Sequence, residues 1–145
     1  MTAIQVGLIE YDSEQYMESV NLRQDVLRTP LGLKFTKENM VTDVDEIHIA
    51  ATDGQSIIGI LLLRPINKEI VKMRQVAVLS ASQGQGIGKK LVAFSENFAQ
   101  HMGFTEMELH ARKVSLPFYS SQNYQIVGDE FLEIGIPHFK MIKKL

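Results

Sequence analysis

The sequence predicts a single α/β domain over residues 1–145: a mixed, mostly antiparallel sheet flanked by about four helices. Two observations predict it. Short alternating apolar segments bounded by turn residues recur along the chain, as at Ile4, Val6 and Leu8 and on both sides of Asp53-Gly54. Such alternation marks strands with one buried face. Mid-chain the period changes. Ile87, Leu91, Phe94, Phe98 and Met102 step by four, three, four and four, which traces one face of a helix. A length of 145 residues suits one domain with one core.

Composition narrows the class. Hydrophobic residues make up 45% and charged residues 22%, ordinary for a globular domain. With 15 basic and 17 acidic residues the net charge is -2, which argues against a non-specific nucleic-acid surface. The absence of cysteine removes disulfides, thiolate metal sites and a cysteine nucleophile. Met1–Glu10 shows no basic stretch followed by an apolar one. The longest apolar run, Ile57–Leu63, is too short to span a bilayer. The expectation is a cytoplasmic protein with neither nucleic acid nor membrane as partner. Its histidines, His48, His101, His110 and His138, lack metal-ligand spacing, so no metal is expected.

The elements follow in order. Ile4–Glu10 reads as the first strand. Asp12 offers an N-cap, with Gln15 at capping-box spacing. The helix it starts is expected to run to about Leu27, with Tyr16, Val20, Arg23 and Leu27 near one face, until Pro30 stops it. Leu31–Thr42 is loop-like with one helical turn at Lys37–Met40. Ile47–Thr52 and Gln55–Arg64 flank Asp53-Gly54, a hairpin signal. The second run is apolar on both sides and reads as a central strand. Pro65 ends it, and Asn67-Lys68 turns the chain into Glu69–Val78, whose apolar positions are Val71, Met73, Val76 and Val78. After the long helix Gly103 serves as C-cap. Thr105–Ala111 is another strand, and the strand–helix–strand order favours a right-handed crossover with parallel pairing. A short helix runs from Lys113 or Val114 to Gln122 with Pro117 in its first turns. Gln125–Ile134 and Phe139–Lys144 are the last strands, separated by Gly135-Ile136-Pro137. An exposed edge there would permit a homodimer. Met73, Met107 and Met141 fall on core-facing positions as gap-fillers.

The segment joining strand to long helix carries the chemistry. Gly84, Gly86 and Gly88 alternate with Gln83, Gln85 and Ile87, and the helix begins at once. The first N–H groups of a helix have no internal partner, and the dipole makes that end partly positive. Glycines allow several N–H groups to turn toward one phosphate. Lys89 and Lys90 add charge nearby. A plain turn needs fewer glycines. A Walker loop would need Ser or Thr after the lysine, and a dinucleotide fingerprint needs G-x-G-x-x-G.

The pattern Gln83-x-x-Gly86-x-Gly88 resembles the coenzyme A loop, Gln/Arg-x-x-Gly-x-Gly/Ala, of the GNAT N-acetyltransferases. Val76-Ala77-Val78 looks like that family's fourth strand, with Ser80 where proline is frequent. Leu116-Pro117-Phe118-Tyr119-Ser120-Ser121-Gln122-Asn123-Tyr124 is similar to the family's Phe-Tyr-x-x-x-Gly-Phe/Tyr segment, with Asn123 in place of the glycine. Asn tolerates a left-handed C-cap. The resemblance implies acetyl-CoA as co-substrate, bound by Val76, Val78, Gln83, Gly84, Gln85, Gly86, Ile87, Gly88 and Lys89. It also implies a small-molecule or protein amine as acceptor, bordered by the segment holding Arg28, Phe35 and Asn39.

Acetyl transfer from a thioester needs a deprotonated amine, a hydrogen-bond donor for the developing oxyanion and a proton for the leaving thiolate. A backbone N–H such as that of Val78 suits the oxyanion. Tyr119 matches the family tyrosine that protonates the coenzyme A sulfur; the alternative is a half-buried packing aromatic with a wet hydroxyl. Candidates for the base are Glu46, His48, His110 and His138, each of which is also readable as an ordinary hydrogen-bonded residue. His138, in Glu133-Ile134-Gly135-Ile136-Pro137-His138, either faces the acceptor or caps the turn. The expected activity is direct transfer from acetyl-CoA to a primary amine. The alternative is a non-catalytic acyl-CoA-binding or regulatory module on the same fold.

Overall fold

The computed structural model describes residues 3–37 and 40–145. Its strands are β1 (Gln5–Ile9), β2 (Ile47–Thr52), β3 (Ile57–Pro65), β4 (Ile70–Val78), β5 (Glu106–Arg112), β6 (Gln125–Glu133) and β7 (Ile136–Lys144). They form one seven-stranded sheet in the order β1-β2-β3-β4-β5-β7-β6. Only β4 and β5 pair parallel, across the expected helical crossover; the other neighbours are antiparallel.

Period-two alternation distributes the core to both faces of the sheet. Ile49, Leu61, Leu63, Val71, Met73, Met107, Leu109 and Met141 pack on one side with helix α2 (Ile87–His101). Ala50, Ile60, Leu62 and Ala77 pack on the other with Leu22, Val26 and Leu27, from helix α1 (Glu14–Arg23) and the turn after it. The doubly apolar β3 is therefore buried on both faces, as its sequence predicts.

Several expectations change in detail. Among the described residues there are three α-helices, α1, α2 and α3 (Leu116–Ser120), rather than about four. The turn expected at Lys37–Met40 falls partly outside the described residues, as does Asn39. Ser13 rather than Asp12 caps α1: its hydroxyl accepts the Tyr16 N–H at 3.1 Å, while Asp12 sits at φ 65°. The α-helix stops at Arg23, and Gln24–Arg28 continues as a π-helical turn. On α2 the buried residues are Ile87, Leu91, Val92, Ser95 and Ala99, and Met102 is 60% exposed. Gly103 ends that helix at φ 95°. The last hairpin turns on Ile134 and Gly135 alone, both at positive φ (48° and 74°), so Ile136 and Pro137 already belong to β7. Two left-handed residues suit a tight hairpin.

Candidate active site

β4 and β5 stay paired only from Ile70 and Glu106 to Met73 and Leu109, then part. A cleft of about 1030 Å³ runs through the gap, from the glycine loop to the β6–β7 turn. Two features of β4 open it. Pairing with β3 slips between Ile60 and Leu62, and Gln75 sits opposite that slip at φ 56°, a β-bulge. The bulge shifts the alternation by one, so Val71 and Met73 before it share a face with Val76 and Val78 after it. The step of three between Met73 and Val76 was its signal in the sequence.

Beyond the bulge, Leu79 N–H donates to the Ile58 carbonyl at 2.9 Å, toward β3. Successive N–H groups of a strand alternate sides, so the N–H of Val78 is directed to the side β5 has left. The Val78 carbonyl, on that same side, accepts Gln83 Nε2 at 3.1 Å. Gln83 thus braces the loop against the strand end. Gly84 and Gly86 take left-handed φ of 82° and 76°. The first bond within α2 runs from Lys90 N–H to the Gly86 carbonyl at 3.1 Å. The N–H groups of Ile87, Gly88 and Lys89 therefore have no partner in the helix. A Cβ on Gly88 would lie 3.1 Å from Phe118 Cζ, so the glycine makes room for α3. Of the nine residues expected at the cofactor, Val76, Val78, Gln83, Gly84, Gly86, Ile87, Gly88 and Lys89 line the cleft and Gln85 does not.

Tyr119 lines the same cleft from α3. It is 8% exposed and wedged edge-on between Phe118 and Tyr124. Tyr124 is anchored through Glu96 at 2.8 Å, which also holds Lys143 at 3.0 Å. Asn123, at φ 72°, ends the helical turn in the left-handed conformation expected of it. The Tyr119 hydroxyl has no hydrogen-bond partner among the described residues. Burial pushes its pKa up from 10.0 to about 12, so the phenol keeps its proton at neutral pH.

At the far end of the cleft β5, β6 and β7 bring His110, Glu133 and His138 together. His110 Nδ1 lies 2.9 Å from Glu133 Oε1, and His138 Nε2 lies 3.5 Å from Glu133 Oε2. The His138 Nδ1–H donates to the Ile136 carbonyl at 2.7 Å, which also ties it to the turn. Phe131 packs edge-on against His110 and stacks on His138. Burial alone would raise the Glu133 pKa, but its bond to His110 and the charges of His110, His138 and Lys72 bring it below the usual carboxylate range. A carboxylate on Nδ1 holds the proton there and leaves Nε2 as a lone-pair acceptor. His48 and Glu46 do not line the cleft. His48 is buried with Nε2 2.7 Å from the Asp43 carbonyl oxygen, and Glu46 is paired with Arg74.

The acetyltransferase (GNAT) domain profile matches residues 6–145. The chain belongs to the GNAT acetyltransferase family. Among GNAT relatives, YjcF of Bacillus subtilis, an uncharacterised N-acetyltransferase, is 28% identical over 146 residues, covering 94% of this chain and 98% of its own. A candidate N-acetyltransferase from Lactobacillus plantarum has a crystal structure that superposes with a TM-score of 0.89 at 25% identity, over 99% of each chain. A GNAT acetyltransferase from Elizabethkingia anophelis, solved with acetyl-CoA bound, superposes at 0.77 with 18% identity over 98% of each chain. No helix among the described residues is long and apolar enough to cross a membrane, and no group of three or more His, Cys, Asp and Glu is placed to hold a metal ion.

Proposed function

We propose that the chain is an acetyl-CoA-dependent N-acetyltransferase that passes the acetyl group directly to a primary amine. One observation carries the proposal. The glycine loop, the open N–H groups of β4, the unpaired Tyr119 hydroxyl and the His110–Glu133 pair all border one continuous cleft. A module that only bound acyl-CoA would need the loop and the strand, but not the last two.

In the proposed step His110 Nε2 takes a proton from the acceptor ammonium, and Glu133 stabilises the imidazolium that results. The amine nitrogen then forms the C–N bond at the thioester carbon. Val78 N–H donates to the carbonyl oxygen as charge develops there. As the C–S bond breaks, Tyr119 gives its proton to the departing sulfur, and the second proton of the nitrogen leaves to solvent, from which the phenol is reprotonated; His110 returns its own proton to solvent before the next cycle. The phosphates of the co-substrate take the free N–H groups of residues 87–89, with Lys89 alongside. His138 holds Glu133 in place rather than touching the amine.

Calorimetric titration with acetyl-CoA, and with ATP as comparison, tests the first half. Micromolar binding of acetyl-CoA and none of ATP is expected; the reverse sinks it. Tyr119→Phe tests the second. Turnover is expected to fall about 100-fold with acetyl-CoA affinity within twofold, the usual scale for a lost general acid. With the phenol near 12, no alkaline limb below about pH 10 belongs to Tyr119. His110→Gln is expected to lower kcat by a similar factor, again with acetyl-CoA affinity unchanged. A variant of either residue with full turnover removes that residue from the chemistry.

A further inference from the structure

The wall of the cleft opposite α2 is far more cationic than an amine-binding site requires. Arg64 from β3, Lys72 and Arg74 from β4, and Arg112 from β5 line it, with Arg28 from the π-turn. Arg74 has Glu46 as partner. Arg28, Arg64, Lys72 and Arg112 have no carboxylate within ion-pair distance among the described residues. Two of these placements are unfavourable as they stand. Arg64 and Lys72 are direct cross-strand partners, an arrangement in which like charges destabilise a sheet. Arg28 Nη1 and Arg112 Nη2 both donate to the one carbonyl of Leu27, each at 3.2 Å, so two guanidinium groups converge on a single neutral acceptor. Phe35 stacks 4.4 Å from the Arg28 guanidinium and holds it in place. Burial and the neighbouring charges of Arg112 and Arg23 lower the Arg28 pKa against the opposing charge of Glu133, and burial lowers that of Lys72, with Glu133 and Glu108 opposing and Arg74 and Arg64 adding to it.

The N–H groups of residues 87–89 and Lys89 already serve the phosphates of the co-substrate without these cations; Lys72 lies six residues of strand, roughly 20 Å, before Val78. They lie instead around His110 and Glu133: Arg112 follows His110 by two residues on the same face of β5, about 7 Å away. Each guanidinium retains unused N–H donors in the planar fork that grips carboxylate and phosphate.

We infer that the acceptor is a small amine that also carries an anionic group, a carboxylate or a phosphate, which Arg28 and Arg112 grip while the ammonium meets Glu133 and His110. This presupposes the acetyl transfer proposed above. A polyamine, with cationic groups throughout, would meet like charge at the Arg28–Arg112 end.

The test is an anion titration of the intact protein saturated with coenzyme A. Inorganic phosphate and acetate are added separately at constant ionic strength, and the arginine Nε–Hε resonances are followed by NMR. Saturable shifts with one of the two are expected, and which one saturates separates a phosphate-bearing acceptor from a carboxylate-bearing one. Arg28→Gln and Arg112→Gln are each expected to weaken that binding at least tenfold, and Arg112→Lys to restore part of it, with coenzyme A affinity within twofold in all three. No saturable shift with either anion, or equal binding in both Gln variants, overturns the inference. Coenzyme A binding, read separately by calorimetry, reports on the acetyltransferase proposal, so failure of one is distinct from failure of the other.

Discussion

Gly86→Glu is expected to weaken acetyl-CoA binding at least about 100-fold while the protein stays folded. Gly86 is the N-cap of α2 at φ 76°, and a Cβ built there meets no atom within 4 Å. The first atom of the new side chain is therefore placed without a clash at a residue that lines the cleft. The cost to the fold is the left-handed strain of a non-glycine residue, on the order of 1–2 kcal/mol. It is offset in part because a carboxylate at a helix N-terminus is favoured by the dipole. That same carboxylate takes the position where unpaired N–H groups would meet phosphate, and repels it. A 100-fold loss corresponds to about 2.7 kcal/mol. Gly86→Ala separates strain from charge: it carries the same backbone cost without the carboxylate, and its affinity is expected within a few-fold of the parent. Calorimetry with acetyl-CoA, with thermal melts of all three proteins, makes the measurement. Unchanged affinity in Gly86→Glu would mean that the loop only turns the chain. Gly88 is the poorer position for this test, because a Cβ there lies 3.1 Å from Phe118 Cζ and would disturb the helix that carries Tyr119.

Local signals in the sequence carried the loop and much of the sheet. The Asp53-Gly54 hairpin, the C-terminal Gly103, the left-handed Asn123 and the central β3 each rest on a few neighbouring residues whose conformational demands are strong, and each is found in the structure. The Gln75 bulge was written as an extra residue in an otherwise regular apolar alternation. Two features were not legible, for a common reason. The Glu133 carboxylate between two histidines depends on the register Arg112↔His138 and Phe131↔His138, which no local pattern sets. The cationic wall is assembled from residues 28, 64, 72 and 112 on four elements, and a net charge of -2 conceals it. The turn expected at Gly135-Ile136-Pro137 falls one residue earlier because its two left-handed residues, Ile134 and Gly135, precede the proline, which joins β7.

The same limit applies to Arg23, for which the largest loss of stability is expected. Helical spacing placed it with Tyr16 on one face of α1, where a charged residue appears out of place. In the structure it is fully buried and bound to an equally buried Asp43: Nη1 to Oδ2 at 2.8 Å and Nη2 to Oδ1 at 3.5 Å. Tyr16 donates to the same carboxylate at 2.8 Å, and burial, then that hydrogen bond, raises its pKa, so it stays a neutral donor. Arg23 Nε reaches Gln75 at 3.4 Å, and Phe35 stacks 5.0 Å from the guanidinium. Removing one member of a buried pair costs about 3–5 kcal/mol, because the other is left charged without a partner. Arg23→Met is therefore expected to lower the unfolding free energy by that amount, a large part of the 5–15 kcal/mol typical of a domain. Asp43→Asn is expected to cost a comparable amount, since the neutral amide leaves the Arg23 guanidinium buried without a counter-charge. The double variant is expected to lose clearly less than the two single losses combined, the signature of a coupled pair. Urea melts followed by circular dichroism give all three values, and single losses under 1 kcal/mol would remove the pair as a structural determinant. The consequence reaches the chemistry through Gln75. Its left-handed backbone turns the N–H groups of Val76 and Val78 toward the gap, and Arg23 is the buried group bonded to its side chain. In Arg23→Met, kcat at 10 °C, where the variant remains folded, is expected to fall while acetyl-CoA affinity changes less. A stability loss with kcat intact would mean that the strand holds its bulge without Arg23.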